Sequence, residues 1–539
     1  MVHNHWDRHV CKIQYLILMI SIILLFYSFY EIKPVIVEHG DLLGLVSHLT
    51  TEYWIGFVII LLCSTFAYRD KKLGEFRALV ILIIYVSFIY GLPTFVAENP
   101  KYPWSYHPPS AVKDVLQSGY IDFNNVDVKS YNSWPTLHSV SAYLIYVSKI
   151  DMFQLLNYTY IFWVLSFIFL TYSLGKKTVG TVNGAFLSTF IISSSLWTSI
   201  SYYGAQSLVY ILWLMFLLIN LSMLLSKPLE EPLLRTKIEF MMVVNFSAIV
   251  ITHMLTSILT LIPLVGSTII YKQRYRVAII CILIFVYWYI FISTNMFQTG
   301  VKDVVRQMTQ VEFTYAKTGK TNTQPSYILS MLYLAMYAVM SLVVMVLYFA
   351  KKVDPEDRKK IGQYILIMCG MSSLILINYG SEMPERLYSF NIVPVTLMVV
   401  LAFKKREKML VILMLLFSTM YIPTSYNDDS FQIVTTSELA GNKFFAFDVY
   451  KGESLTLSYA FGFDRYYIPS NKMYGTGYHN GMYNPDNQDL EGVSYVIHSD
   501  MVERFLLYTF ERDVIKLWMI NSDYYSIYDN GHFNILKNF

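Results

Sequence analysis

Apolar residues gather along this chain into about thirteen runs of 15 to 26 residues, separated by polar gaps. A helix of about 20 apolar residues matches the roughly 30 Å hydrocarbon core of a bilayer. The runs predict helices near 13–30, 54–68, 78–96, 151–173, 180–198, 207–226, 239–254, 256–271, 277–293, 325–350, 361–379, 388–403 and 409–423. Beyond 423 the pattern changes. KFFAFDVY (443–450) and LTLSYAF (455–461) alternate apolar and polar positions, as half-buried strands do. Turn residues fill YIPSNKMYGTGYHNGMYNPDN, and then come a strand (VSYVIHS), a helix (MVERFLLYTFERDVI) and a hairpin across Asp529-Asn530-Gly531.

Basic residues sort onto alternate gaps. The N-terminal tail and the even-numbered gaps carry 23 of the 41 Lys and Arg residues in seven short segments, including Arg69, Lys71, Lys72 and Arg77, then Lys351 to Lys360, then Lys404 to Lys408. Short basic loops face the cytoplasm, which puts the N-terminus inside and the loops 31–53, 97–150 and 294–324 outside, with the tail 424–539. The expected fold is an all-α polytopic membrane body of about 13 transmembrane helices (1–423) with a small extracytoplasmic C-terminal α/β domain (424–539).

Composition fits this picture: 55% hydrophobic against 15% charged residues excludes an ordinary soluble domain. The net charge of +3 is accounted for by the cytoplasmic anchors, and no helix carries a basic stripe suited to nucleic acid. Cys11, Cys63, Cys281 and Cys369 lie in or beside apolar runs, so no disulfide framework is expected outside. The first run follows Arg8 and Lys12, but FYSFYEIKPVIVEHGD offers no small-residue cleavage site, and it reads as a retained anchor. Sequons at Asn157 and Asn245 fall inside predicted spans and do not read as glycan acceptors.

Charge at mid-bilayer costs about 2.5 to 3.5 kcal/mol on insertion scales, and the spans are almost free of it. Polar residues collect instead in four outward places. Loop 31–53 carries Glu38, His39, Asp41 and His48, suited to an acidic pair or to a plain solvated loop. Loop 97–150 opens on Glu98, runs through the aromatic WSYHPP with Tyr106 and His107, predicts an amphipathic helix over 109–118 ended by Gly119, and passes Asp122 and Asp127 before Trp134 and His138. Its length calls for structure or function of its own. Tyr, Trp and His offer a flat apolar face and a polar edge, which suits sugar rings and interfacial belts alike. His253 sits in THMLTS between two apolar runs, as a capped turn or as a group presented to a lipid head group. Arg386 stands beside Glu382 and Glu385 at the head of a helix, as a local ion pair or as a guanidinium fork for phosphate.

The layout, with YNSWPTLHSVSAYLIYV, THMLTS, the outward PERLY and a tail ending DYYSIYDNGHFNIL, resembles prokaryotic, especially archaeal, integral-membrane glycosyltransferases of the GT-C superfamily. The resemblance covers most of the chain through short motifs. It implies transfer of a sugar or oligosaccharide from a polyprenyl-phosphate-linked donor to an acceptor glycan, lipid or protein at the outer membrane surface. It also implies an acidic residue near the membrane that deprotonates the acceptor or holds Mg²⁺ or Mn²⁺. On that reading Glu98, Asp41, Asp122 or Asp127 is the catalytic base, and Tyr106, His107, Trp134, His138, His253, Glu382, Glu385 and Arg386 bind substrate. The family's Asp-x-Asp or Glu-x-Asp pair is absent: EHGD has one residue too many and WSYH has no acid. A module that starts at the third span makes 97–150 its first loop and places Glu98 at the membrane-proximal acidic position. A transporter or flippase of lipid-linked glycans, a glycan polymerase, and a noncatalytic structural subunit are the alternatives.

Overall fold

The computed structural model describes residues 2–35, 43–123, 132–195, 202–225, 232–271, 275–294, 325–376, 383–426, 433–449, 456–459, 479–480, 495–499, 524–530 and 533–538. Its helices are α1 (Val2–Ile32), α2 (Thr51–Arg69), α3 (Glu75–Ile89), α4 (Gly91–Val96), α5 (Pro108–Ser118), α6 (Thr136–Ser148), α7 (Met152–Val179), α8 (Val182–Ser195) and α9 (Ala205–Leu225). They continue as α10 (Pro232–Val250), α11 (Met254–Tyr271), α12 (Tyr275–Tyr287), α13 (Pro325–Phe349), α14 (Pro355–Ser372), α15 (Met383–Ala402), α16 (Glu407–Tyr426) and α17 (Thr436–Phe444). Among the described residues, seven helical segments are long and apolar enough to cross a membrane: Gln14–Ile32, Thr51–Arg69, Met152–Val179, Ala205–Met223, Tyr275–Ile292, Ile328–Phe349 and Glu407–Tyr426. Met254–Ile270 and Arg386–Ala402 are apolar but shorter. The chain is a multi-pass helical membrane protein with a small C-terminal sheet.

Local sequence explains where these helices begin and end. Asp151 caps α7 in a reciprocal box with Gln154, and Gly180 closes it at φ 84°, a left-handed conformation that glycine adopts without cost. Asp354 caps α14 ahead of Pro355. Gaps of the basic set bond to one another. Asn183 Nδ2 donates to the carbonyls of Tyr68 (2.6 Å) and Asp70 (2.9 Å), and Lys360 Nζ donates to that of Thr178 (2.6 Å). Lys404 pairs with Asp357 (2.6 Å) and Asp354 (3.3 Å).

The described part of helix α8 has 14 residues, about 21 Å. The residues of its last described turn are buried, where a carbonyl needs a hydrogen-bond donor. Buried tyrosines from three other segments supply the donors. Tyr90 bonds Ser193 O (2.8 Å), Tyr333 bonds Ser194 O (3.0 Å) and Tyr388 bonds Ser195 O (2.9 Å).

In the tail, the alternation read as a strand at 443–450 belongs to helix. Thr435 and Glu438 form a capping box that starts α17, and the chain continues through a π-turn at Phe445–Val449. Phe444 stacks on Tyr528 at 4.6 Å and Phe445 is buried, so the alternation reflects two packed aromatic faces. Among the described residues β1 (Thr456–Tyr459), β2 (His479–Asn480), β3 (Tyr495–Ser499), β4 (Tyr524–Asp529) and β5 (Phe533–Asn538) form one mixed sheet in the order β2-β1-β3-β5-β4. β1 runs parallel to β2 and β3, while β3–β5 and β4–β5 are antiparallel. The expected helix at 501–515 lies outside the described residues. So does the expected loop 294–324, apart from its first residue.

Candidate functional site

Two groups of polar residues form where loop 97–150 meets the helix ends. The first begins at Glu98. This exposed carboxylate accepts the N–H of Thr436, in the first turn of α17, at 3.3 Å, and Asn99 Nδ2 donates to Val434 O (3.0 Å) and Thr436 Oγ1 (3.2 Å). The loop is thereby bound to the start of the tail. Lys101 is buried, with Nζ 4.7 Å from the centre of the Tyr102 ring and 4.8 Å from that of Tyr426. Tyr102 takes a left-handed φ of 72° and lays its ring against Tyr202 at 5.5 Å. Tyr106 lies inside this knot, fully buried, its hydroxyl donated to Pro100 O at 3.0 Å.

The second group surrounds the turn between α10 and α11. Thr136 Oγ1 donates to Ile251 O at 2.9 Å, tying the head of α6 to that turn. Trp134 Nε1 reaches the Tyr289 hydroxyl (3.4 Å), while Trp288 Nε1 and Ser293 Oγ both donate to Ser133 O at 3.1 Å. Trp288 and Tyr289 belong to a π-turn, Trp288–Ile292, a bulge of the kind found at functional sites. In the turn, His253 Nδ1 accepts the Thr256 N–H (3.4 Å) and lies 3.1 Å from Thr256 Oγ1. Burial first, and the charge of Arg386 second, lower its pKa to about 3. The ring is therefore neutral near pH 7, and with Nδ1 accepting, its proton sits on Nε2. Arg386 is half-buried in the first turn of α15.

The remaining candidates are placed as follows. His107 is half-buried at the head of α5, its carbonyl taking the Ser110 hydroxyl at 3.0 Å. Asp122 is exposed, and its carbonyl accepts Asn132 Nδ2 at 2.6 Å. His138 is buried on α6 with Nε2 unbonded, and burial lowers its pKa to about 4. Asp41 and Glu382 lie outside the described residues, as does the side chain of Glu385. Among the described residues no three His, Cys, Asp or Glu gather as a metal site.

The charge of Arg386 is felt at His253, and Thr136, two residues on from Trp134, bonds to the same turn. Glu98 and Tyr106 belong to the other knot, with α16 and α17. Sequence reasoning passed over Lys101, whose signal is its position as the one lysine or arginine in the aromatic stretch Lys101 to His107. It also passed over Lys113, lowered to about 8 by burial on α5, and over the buried Glu438 of the capping box.

No family model and no curated protein matches the sequence. Among solved structures, similarity is found to the Archaeoglobus fulgidus oligosaccharyltransferase tethered with an acceptor peptide containing the NVT sequon, at 10% identity and a TM-score of 0.49, over 87% of this chain and 74% of that one. ArnT from Cupriavidus metallidurans bound to undecaprenyl phosphate is similar at 8% identity and a TM-score of 0.48, over 91% of this chain and 99% of that one.

Proposed function

We propose that this protein is a membrane glycosyltransferase of GT-C type. It moves a sugar or oligosaccharide from a polyprenyl-phosphate-linked donor to an acceptor glycan, lipid or protein on the extracytoplasmic face. The observation that carries this reading is a junction of helix ends where Thr256 holds the His253 ring within reach of the charge of Arg386. A permanent cation next to a fixed Nε2–H donor suits an anionic lipid phosphate, which a guanidinium binds through two parallel hydrogen bonds.

In the reaction the acceptor hydroxyl oxygen bonds to the anomeric carbon, the bond from that carbon to the phosphate oxygen breaks, and the electron pair leaves with the polyprenyl phosphate. Arg386 and the His253 Nε2–H offset the charge that develops there. Glu98, the exposed carboxylate at the head of the loop, takes the acceptor proton; because it belongs to the other group of polar residues, donor and acceptor together bridge the two groups. Lys101, seated on Tyr102 and Tyr426, adds a second cation on the Glu98 side. The aromatic Trp134 edge offers a sugar ring a stacking surface.

The test is transfer of radiolabelled sugar from polyprenyl-phosphate donors in membranes holding wild type, Glu98→Gln or Arg386→Ala, with and without chelator. Loss of transfer in both variants at normal expression supports the site. Transfer that survives both changes removes it, and no transfer from any donor by the wild type removes the reading. Chelator sensitivity separates a metal-assisted base from a metal-free one.

A further inference from the structure

Helix α6 has 13 residues, about 20 Å, too short to cross a bilayer, yet one face is apolar and open. Val140, Tyr143, Leu144 and Val147 follow the i, i+3, i+4, i+7 spacing of a single helix face, with Tyr143 66% and Val147 59% exposed. The other side, with Leu137, His138, Ser141 and Ala142, is buried. Such a face on a soluble surface would be an association patch. Here it is continuous with a membrane surface, because three residues later the chain enters α7, a span that itself exposes Tyr158, Phe162 and Phe169. At the join, Lys149 closes α6 and rests its Nζ 4.6 Å from the centre of the Tyr146 ring, the combination of tyrosine and snorkelling lysine that suits a head-group boundary.

We propose that α6 lies in one leaflet of the bilayer with this face against lipid acyl chains, anchoring the roof of the site to the membrane. The opposite face carries the anchor inward through Thr136 to Ile251, next to His253, and through the 2.6 Å bond between Ser141 and the Tyr203 hydroxyl. The inference rests on the membrane body and not on the proposed transfer chemistry, so its readout is independent of activity.

The test uses the full chain with Cys11→Ser and Cys369→Ser in phosphatidylcholine bilayers, carrying a nitroxide at Tyr143→Cys, at Val147→Cys, or at Gln117→Cys, an exposed polar position on α5. Collisions with molecular oxygen, which partitions into lipid, are compared with those of a water-soluble nickel chelate. At Tyr143 and Val147 the oxygen effect is expected to exceed the nickel effect several-fold, with the order reversed at Gln117. Nickel dominating at Tyr143 and Val147 would place the face in water. Low access to both reagents there would mean that protein covers it. Either result overturns the inference.

Discussion

Arg386 acts on His253 from a different helix junction: second to burial, its charge helps hold the imidazole neutral, with the Nδ1 lone pair already engaged by the Thr256 N–H. One group is thus a permanent cation and the other a neutral donor, which in the proposed reaction divides the work of holding a phosphate. Replacing Arg386 with alanine is expected to weaken donor use about 10- to 100-fold, as charge-assisted hydrogen bonds are worth roughly 1.5 to 3 kcal/mol. Arg386→Lys keeps the charge but not the fork and should fall between. Donor KM and kcat measured for the three proteins check this, and equal values would remove Arg386 from the site.

In the proposed reaction Glu98 serves two purposes that substitution can separate. Its carboxylate accepts the Thr436 N–H, a contact that a glutamine carbonyl can retain, while only the carboxylate can take a proton. Glu98→Gln is therefore expected to leave thermal stability within about 0.5 kcal/mol of wild type. It should reduce transfer by about 10²- to 10⁴-fold, the usual worth of a general base. If Glu98→Gln is fully active, Glu98 merely fastens the loop to α17.

The membrane body was legible because its signals are local. Each expected apolar run corresponds to a helix, and the helix expected at 109–118 is α5, ended by Gly119 in a left-handed conformation. The hairpin at Asp529-Asn530 appears as β4 and β5. The site was less legible because its contacts are long-range: nothing in the neighbourhood of Trp134 announces Tyr289, and nothing near His253 announces Arg386. Lys101 looked like one more loop lysine until tertiary packing set it over Tyr426. Where local rules compete, they mislead. The apolar run ends at 423, yet α16 continues to Tyr426, and the 443–450 alternation yielded to a helix started by its capping box.

The end of α8 offers a test of how the body is held together. The Tyr333 hydroxyl serves two buried carbonyls, Ser194 O at 3.0 Å and Phe417 O at 2.7 Å, and so links α8 to α16 through α13. Tyr333→Phe removes the one hydroxyl donor that the two carbonyls share and leaves the tyrosine's site without it, at a cost of about 1 to 3 kcal/mol. Unfolding of the detergent-solubilised protein should show that loss. An unchanged midpoint would mean that the remaining tyrosine caps suffice.

Acid is expected to loosen the roof over the site, and His138 is the residue to watch. Its buried ring has a pKa of about 4, below the ordinary 6.5, because burial disfavours the charged form. The unfolded chain binds this proton more readily than the folded one, so the stability contributed is complete above pH 6.5 and is lost as pH falls from 6.5 towards 4. At pH 5 the loss from this one ring is about 2 kcal/mol. His253, lowered to about 3, acts in the same direction over a slightly wider interval. Thermal unfolding at pH 7.5 and pH 5.0 should therefore show a smaller acid shift for His138→Gln than for wild type, by roughly the same 2 kcal/mol. Hydrogen exchange should locate the difference in α6 and in α5, which packs against it. Identical acid shifts in the two proteins would show that the ring is already solvated in the folded state and that its burial contributes nothing to the pH response.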